Sequence, residues 1–269
     1  MKKWCFLVLF VLEIYSVQSQ ILNIEKFRLD YDTSKYWLGN IGFTFTNTKQ
    51  NSFLFRYTST LNLAYLTKKH SIMTLNNVRL DMVDKKSIIN EGYTHWRINF
   101  FRHQKFSPEP YCQFQYAYSR GLDYRQLLGF SLRMNLLKKI IPEKKERIDA
   151  GFATGIMYEV ERWTGNVLKY EMADDSTRAQ AKLFKSSSYG YLKFKIGTKL
   201  TCFLTTYYQA RWDQLFQKQR IVIDYQFLYS LSKSVNFSFT YVSIFDNSPV
   251  ISSNRYVHDI NSGLVIKIH

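Results

Sequence analysis

Apolar and polar positions alternate with a period of two along most of the chain, and the alternation predicts twelve β-strands. The last eleven residues show it plainly. Ile260, Leu264, Ile266 and Ile268 form an apolar edge, while Asp259, Asn261, Gly263 and Lys267 form a mostly polar one; Ser262 and Val265 depart from the rule. The other strands are expected over residues 37–48, 52–65, 71–81, 93–101, 111–119, 127–136, 148–160, 187–197, 200–212, 220–229 and 235–245. In the second, Phe53, Phe55, Tyr57, Leu61 and Leu63 oppose Arg56, Thr58, Thr60 and Asn62. In the sixth, Leu128, Phe130, Leu132 and Met134 oppose Gly129, Ser131, Arg133 and Asn135. The third and ninth are less regular.

Such strands suit a wall with lipid on one side and a wet lumen on the other. Lengths near 10 residues match a tilted membrane crossing. Loop lengths add a second signal. With both chain ends periplasmic, even-numbered connections should be short turns and odd-numbered ones longer outer loops. The turns near Lys68-Lys69, Gly197-Thr198 and Leu231-Ser232-Lys233 are even and short. Residues 83–92 and 161–185 form long odd connections. The first connection, 48–51, is odd but short, and the segments 102–110 and 138–147 are even but of middling length. The fold expected is all-β, a single antiparallel up-and-down transmembrane β-barrel of about 12 strands.

The chain start changes the location. Lys2 and Lys3 precede an apolar run, residues 4–12, and the stretch Val17-Gln18-Ser19-Gln20 follows. That order reads as a secretory signal peptide over 1–19, leaving a barrel domain over 20–269. The run is too short to cross a bilayer, which needs about 20 residues. No later segment is apolar and long enough to span as a helix.

Composition then adjusts the picture. Of 269 residues, 21 are Phe and 20 are Tyr, which a barrel places in its lipid-facing band and interfacial girdles. Only 4 prolines and 11 glycines occur, and no linker-like stretch divides the chain, so one domain is expected. The formal charge is +16. In an exported protein the expected counter-ions are outer-membrane lipid head groups and lipopolysaccharide phosphates, and no nucleic acid partner is expected. Cys112 and Cys202 fall on the fifth and ninth strands, too far apart to bond. Two free thiols are expected, and neither the cysteines nor the scattered histidines have metal-ligand spacing.

The polar edges nominate the lumen. Arg56, His95, Arg97, Gln113, Arg133, Asp149, Glu159, Arg220, Asp224 and Asp259 are all expected to face inward. Arg133 and Asp149 flank one turn, and a diagonal Arg reach across the strand pair is open to them. These charges either line a narrow, anion-preferring path or neutralise one another as a plug. The plug is the favoured reading, because a small barrel has room for little beyond side chains and water. Arg120 and Arg125 are expected on an outer loop, either contacting lipopolysaccharide phosphates or simply solvated. A barrel lipase would need Ser and His at matched depth facing lipid. His95 is expected to face the lumen instead, and no catalytic residue or cofactor is assigned.

Four stretches carry a resemblance. They are residues 20–25 (Gln-Ile-Leu-Asn-Ile-Glu), the block 118–137 with Arg120, Leu122, Arg125, Leu128-Gly129-Phe130 and Arg133-Met134-Asn135-Leu136, the segment Ala150-Gly151 through Gly155 to Tyr158-Glu159, and Phe245-Asp246-Asn247-Ser248-Pro249 with Ser262-Gly263-Leu264-Val265. Together they resemble the salt-induced outer membrane proteins of the Bacteroidetes type, a family of unknown function. The resemblance implies an outer-membrane barrel inserted by the barrel assembly machinery, and it implies no activity. Strands of this kind usually end in an aromatic residue, and here His269 stands last. The function expected is a structural or narrow-pore barrel without catalysis. The alternatives are a lipid-modifying barrel enzyme (lipase or deacylase) and a secreted soluble β protein.

Overall fold

A computed structural model describes residues 36–49, 52–84, 86–141, 146–164, 178–214, 217–232, 235–247 and 255–266. Within them the chain forms β1 (Trp37–Lys49), β2 (Phe53–Leu66), β3 (Ser71–Val83), β4 (Lys86–Asn99), β5 (Phe106–Ala117), β6 (Leu122–Ile141), β7 (Glu146–Thr164), β8 (Arg178–Ile196), β9 (Leu200–Arg211), β10 (Gln219–Ser230), β11 (Val235–Asp246) and β12 (Tyr256–Ile266). The strands lie side by side in chain order in one sheet. Each neighbouring pair is antiparallel. This is the up-and-down wall of an outer-membrane-type β-barrel. Among the described residues no ladder joins β12 to β1.

The sheet is strongly curled. The Tyr189 hydroxyl on β8 donates to Glu109 on β5 at 3.2 Å, and Tyr191 on β8 donates to Asn135 on β6 at 3.2 Å. Strands three apart in a flat sheet sit about 14 Å from one another. A hydrogen bond between their side chains therefore needs a concave face, and the lumen is that face.

All twelve expected strands occur, and several are longer than the alternation suggests. β6, β7 and β8 have 20, 19 and 19 residues. At their outer ends the outward side chains are Gln126, Arg162 and Lys182, so apolar alternation stops before hydrogen bonding does. Residues 86–92, expected as loop, begin β4, and β6 begins at Leu122 rather than beyond Arg125. The expected leader over 1–19, the terminal His269 and residues 165–177 of the expected long connection lie outside the described residues.

Turns follow local chemistry. A short 3-10 turn, Tyr118–Arg120, links β5 to β6 and ends at Gly121, whose φ of 78° favours glycine. Gly197, with φ 58°, does the same between β8 and β9.

β5 contains a departure from the expected connection over 102–110. It starts at Phe106 and includes Pro108 and Pro110. The Pro108 carbonyl accepts from the Phe100 amide at 3.0 Å, so the backbone of Pro108 faces β4. Proline has no N–H to return. The Ser107 hydroxyl supplies the missing donor, reaching the Phe100 carbonyl at 2.6 Å. The regular β4–β5 register stops at Arg97 opposite Tyr111. Side chains complete the seam below it: Asn99 donates to Glu109 at 2.6 Å, and Ser107 to Asn99 at 2.8 Å.

Candidate functional site

Exposure is inverted relative to a water-soluble protein. Leu128, Phe43 and Ile156 are 66%, 65% and 50% exposed, whereas Glu109 and Glu159 are wholly buried. Outward positions carry Trp96, Phe114, Phe130, Leu132 and Phe184; inward positions carry His95, Arg97, Gln113, Gln115, Arg125, Glu159 and Lys185. Apolar surface is normally hidden and charge normally solvated. The reverse arrangement matches a wall with lipid outside and polar groups within.

At the end of the lumen where β6, β8 and β10 begin and β7 and β11 end, these five strands contribute one balanced charge network. Arg125 bonds Glu159 through Nε at 2.9 Å and through a second, shorter contact from Nη2. It also meets Glu161 at 3.2 Å. Lys185 bonds the other oxygen of Glu159. Trp163 donates to Glu161 at 3.0 Å, and Arg220 bonds Asp246 at 2.7 Å. Three cations thus meet three carboxylates. This corrects the expected loop position of Arg125, which is a buried lumen residue on β6. Its phase with Gly129, Ser131 and Arg133 is the sequence signal that would have placed it there. Arg120 lies in the 3-10 turn, and its side chain is outside the described residues.

A second cluster sits at the far end of β4 and β5. Arg97 donates to Glu109 at 2.8 Å and stacks over Tyr111, 4.5 Å from the ring centre. His95 meets Gln113 at 3.1 Å, and Gln113 reaches Gln115 at 3.3 Å. Near the outer ends of β2 and β3, Arg56 and Arg79 share Asp81 at 3.1 and 2.8 Å.

Arg133 and Asp149 are not brought together as the strand pair suggests. Arg133 lies opposite Ala153, four residues along β7 from Asp149, with its guanidinium 4.6 Å from the Tyr191 ring centre. Asp149 takes Arg147 at 2.6 Å. Asp224 faces inward between Thr205 and Val242 and is buried. Asp259 pairs in register with Val242, and its side chain is outside the described residues. Sequence reasoning did not place Glu109, Glu161, Lys185, Asp81 or Asp246 in the lumen, where each holds a partner named above.

The lumen is also less polar than the alternation implies. Tyr189, Tyr191 and Tyr207 pack with Ala153, Val222 and Ile244, and Ala64, Leu66, Met73 and Leu75 form a second inward cluster. The Tyr111 and Tyr191 rings lie over Gly129 and Gly151, where any Cβ would collide with them. These rings fill space that a channel would leave to water.

In the turn between β4 and β5, burial and the charges of Arg102 and Lys138 hold the His103 imidazole below its usual range. The unfolded chain then takes up a proton near about pH 6.5 that the folded chain resists. This contribution to stability is full above about pH 6.5 and is lost as the pH falls toward the lowered folded value. His103→Gln is expected to flatten the change in urea midpoint between about pH 7 and about pH 5.5. An unchanged slope in the variant would remove His103 as its cause.

Among the described residues no group of three His, Cys, Asp or Glu side chains is placed to hold a metal ion. Cys112 and Cys202 are free thiols. On the lipid side Ser243 and His258 are register partners, yet the Ser243 hydroxyl donates to Tyr256 at 3.1 Å.

No family model and no curated protein matches the chain. Among solved structures it is similar to the NanC porin, with 12% identity over 79% of this chain and 94% of the porin, at a TM-score of 0.46. It is also similar to the β domain of the Bordetella autotransporter BrkA (9% identity, 86% of this chain and 97% of that one, TM-score 0.38). A third is the translocator domain of the Neisseria meningitidis autotransporter NalP (11% identity, 86% of each chain, TM-score 0.36).

Proposed function

We propose that the chain is an outer-membrane β-barrel of structural type, with a lumen closed by its own side chains and no catalytic role. The observation that carries this reading is the pairing of the inward charges. Arg97 meets Glu109, Arg125 meets Glu159 and Glu161, Lys185 meets Glu159, and Arg220 meets Asp246. A conducting path needs a water-filled row of groups that stay available to ions. Here opposite charges occupy one another and tyrosines fill the space between. Insertion by the assembly machinery after removal of the leader, and contact of the apolar wall with outer-membrane lipid and lipopolysaccharide, belong to the same proposal. The resemblance to salt-induced outer membrane proteins fits it and adds no activity.

Planar-bilayer recording on the refolded full-length protein tests the reading. Flat current traces are expected. Reproducible stepwise openings would replace the plug with the narrow-pore reading.

A further inference from the structure

We propose that the end of the lumen bounded by β8–β11 holds a site for one phosphate-class oxyanion, built by Gln209, Arg211, Lys218 and Arg220. A cavity of about 30 Å³ lies there, lined by these four residues together with Lys185 and Asp246. Of the four cations in its lining, Lys185 is bonded to Glu159, Arg220 to Asp246 and Arg211 to Asp213, so Lys218 and the unused Nη1 of Arg220 are the donors left to a ligand.

Two buried groups point to a ligand. Gln209 is 6% exposed, and its Oε1 has no hydrogen-bond partner among the described residues. Its other amide atom reaches only the Met157 sulfur, at 3.9 Å. Amide oxygen and nitrogen are interchangeable by a flip, so this side chain can offer either a donor or an acceptor to the cavity. Arg220 spends Nε and Nη2 on Asp246 at 2.7 Å, and its buried Nη1 has no partner among the described residues. A buried guanidinium donor left unmade is costly, and an oxyanion is the acceptor that best fits its planar fork. Arg211 is oriented by Asp213 at 3.0 Å, and Lys218 lines the cavity from the β9–β10 connection.

The cavity admits about one water-sized group. It therefore takes the oxygen tip of a larger anion, with the rest outside. A tetrahedral phosphate presents such a tip while leaving other oxygens for Lys218. The phosphate can come from a lipid head group or from a free phosphate. Only the lipid source rests on the proposed outer-membrane setting.

The test is calorimetric titration of the refolded full-length protein in octyl glucoside micelles. The probes are inorganic phosphate and, separately, a short-chain phosphatidic acid. Saturable binding with one site per chain is expected. Arg220→Gln should weaken it about tenfold or more, and Lys218→Gln about threefold. Both variants should keep heat-modifiable migration on gels. If Arg220→Gln does not fold, Gln209→Leu, which leaves no charge unpaired, takes its place. Binding of both probes assigns a free phosphate site, and binding of the lipid alone assigns a head-group site. Binding of neither, or equal binding by folded variants, overturns the proposal. Loss of the outer-membrane reading would change which source is reachable and leave the titration unaltered.

Discussion

Replacing Arg125 with methionine is expected to destabilise the folded barrel by about 3–5 kcal/mol, the usual result of stranding a buried carboxylate. Arg125 is the shared partner of Glu159 and Glu161. Without it, Lys185 still holds Glu159, and Glu161 keeps only the Trp163 N–H. The network then carries one negative charge too many where water cannot compensate. Adding Glu161→Gln to Arg125→Met removes that excess and should recover most of the loss. Reversible urea unfolding of both variants measures the difference. A single variant within about 1 kcal/mol of the parent would show that water reaches this end of the lumen freely.

The second large effect lies on the opposite face. Ile156→Arg, near the middle of β7, is expected to cost about 2–4 kcal/mol in lipid vesicles. Ile156 is half exposed and sits opposite Phe130. On a water-facing surface such a change is usually worth about 0.5 kcal/mol or less. The substitution therefore separates a lipid-facing wall from a solvated one. A near-neutral result in vesicles would remove the outer-membrane setting and favour the secreted β protein instead.

The wall was readable from the sequence because each membrane-level strand repeats one simple choice, apolar out and otherwise in. Phe130 and Gly129 already stand on opposite faces in that pattern. The strand ends were not readable, because outside the apolar band nothing selects outward residues: Gln126, Arg162 and Lys182 look like loop. The partners of the lumen charges were hidden for another reason. Arg125 and Glu159 lie 34 residues apart. In register Arg125 stands opposite Glu161 and Lys185 opposite Met157, and both side chains reach Glu159 diagonally. Alternation reports which face a residue takes and says nothing of how far along the neighbouring strand its partner lies. Inward apolar groups such as Met73, Leu75 and Val222 were missed because a filled lumen, unlike a channel, accepts them.

The Pro108–Pro110 stretch of β5 has a consequence for how the molecule comes together. Most neighbouring strands are joined by an uninterrupted ladder, and the β3–β4, β5–β6 and β6–β7 ladders are broken only by local register shifts. Between β4 and β5 the regular ladder stops at Arg97 opposite Tyr111, and the lower seam is held by Ser107, Asn99, Arg97 and Glu109. Those side chains reach their partners only when both strands are already in place. The joint is therefore expected to set only once β4 and β5 are both in place, and it lies between a four-strand and an eight-strand sector of the sheet. Among the interior strand pairs, amide protons along the lower β4–β5 edge should exchange with solvent before those of the neighbouring ladders.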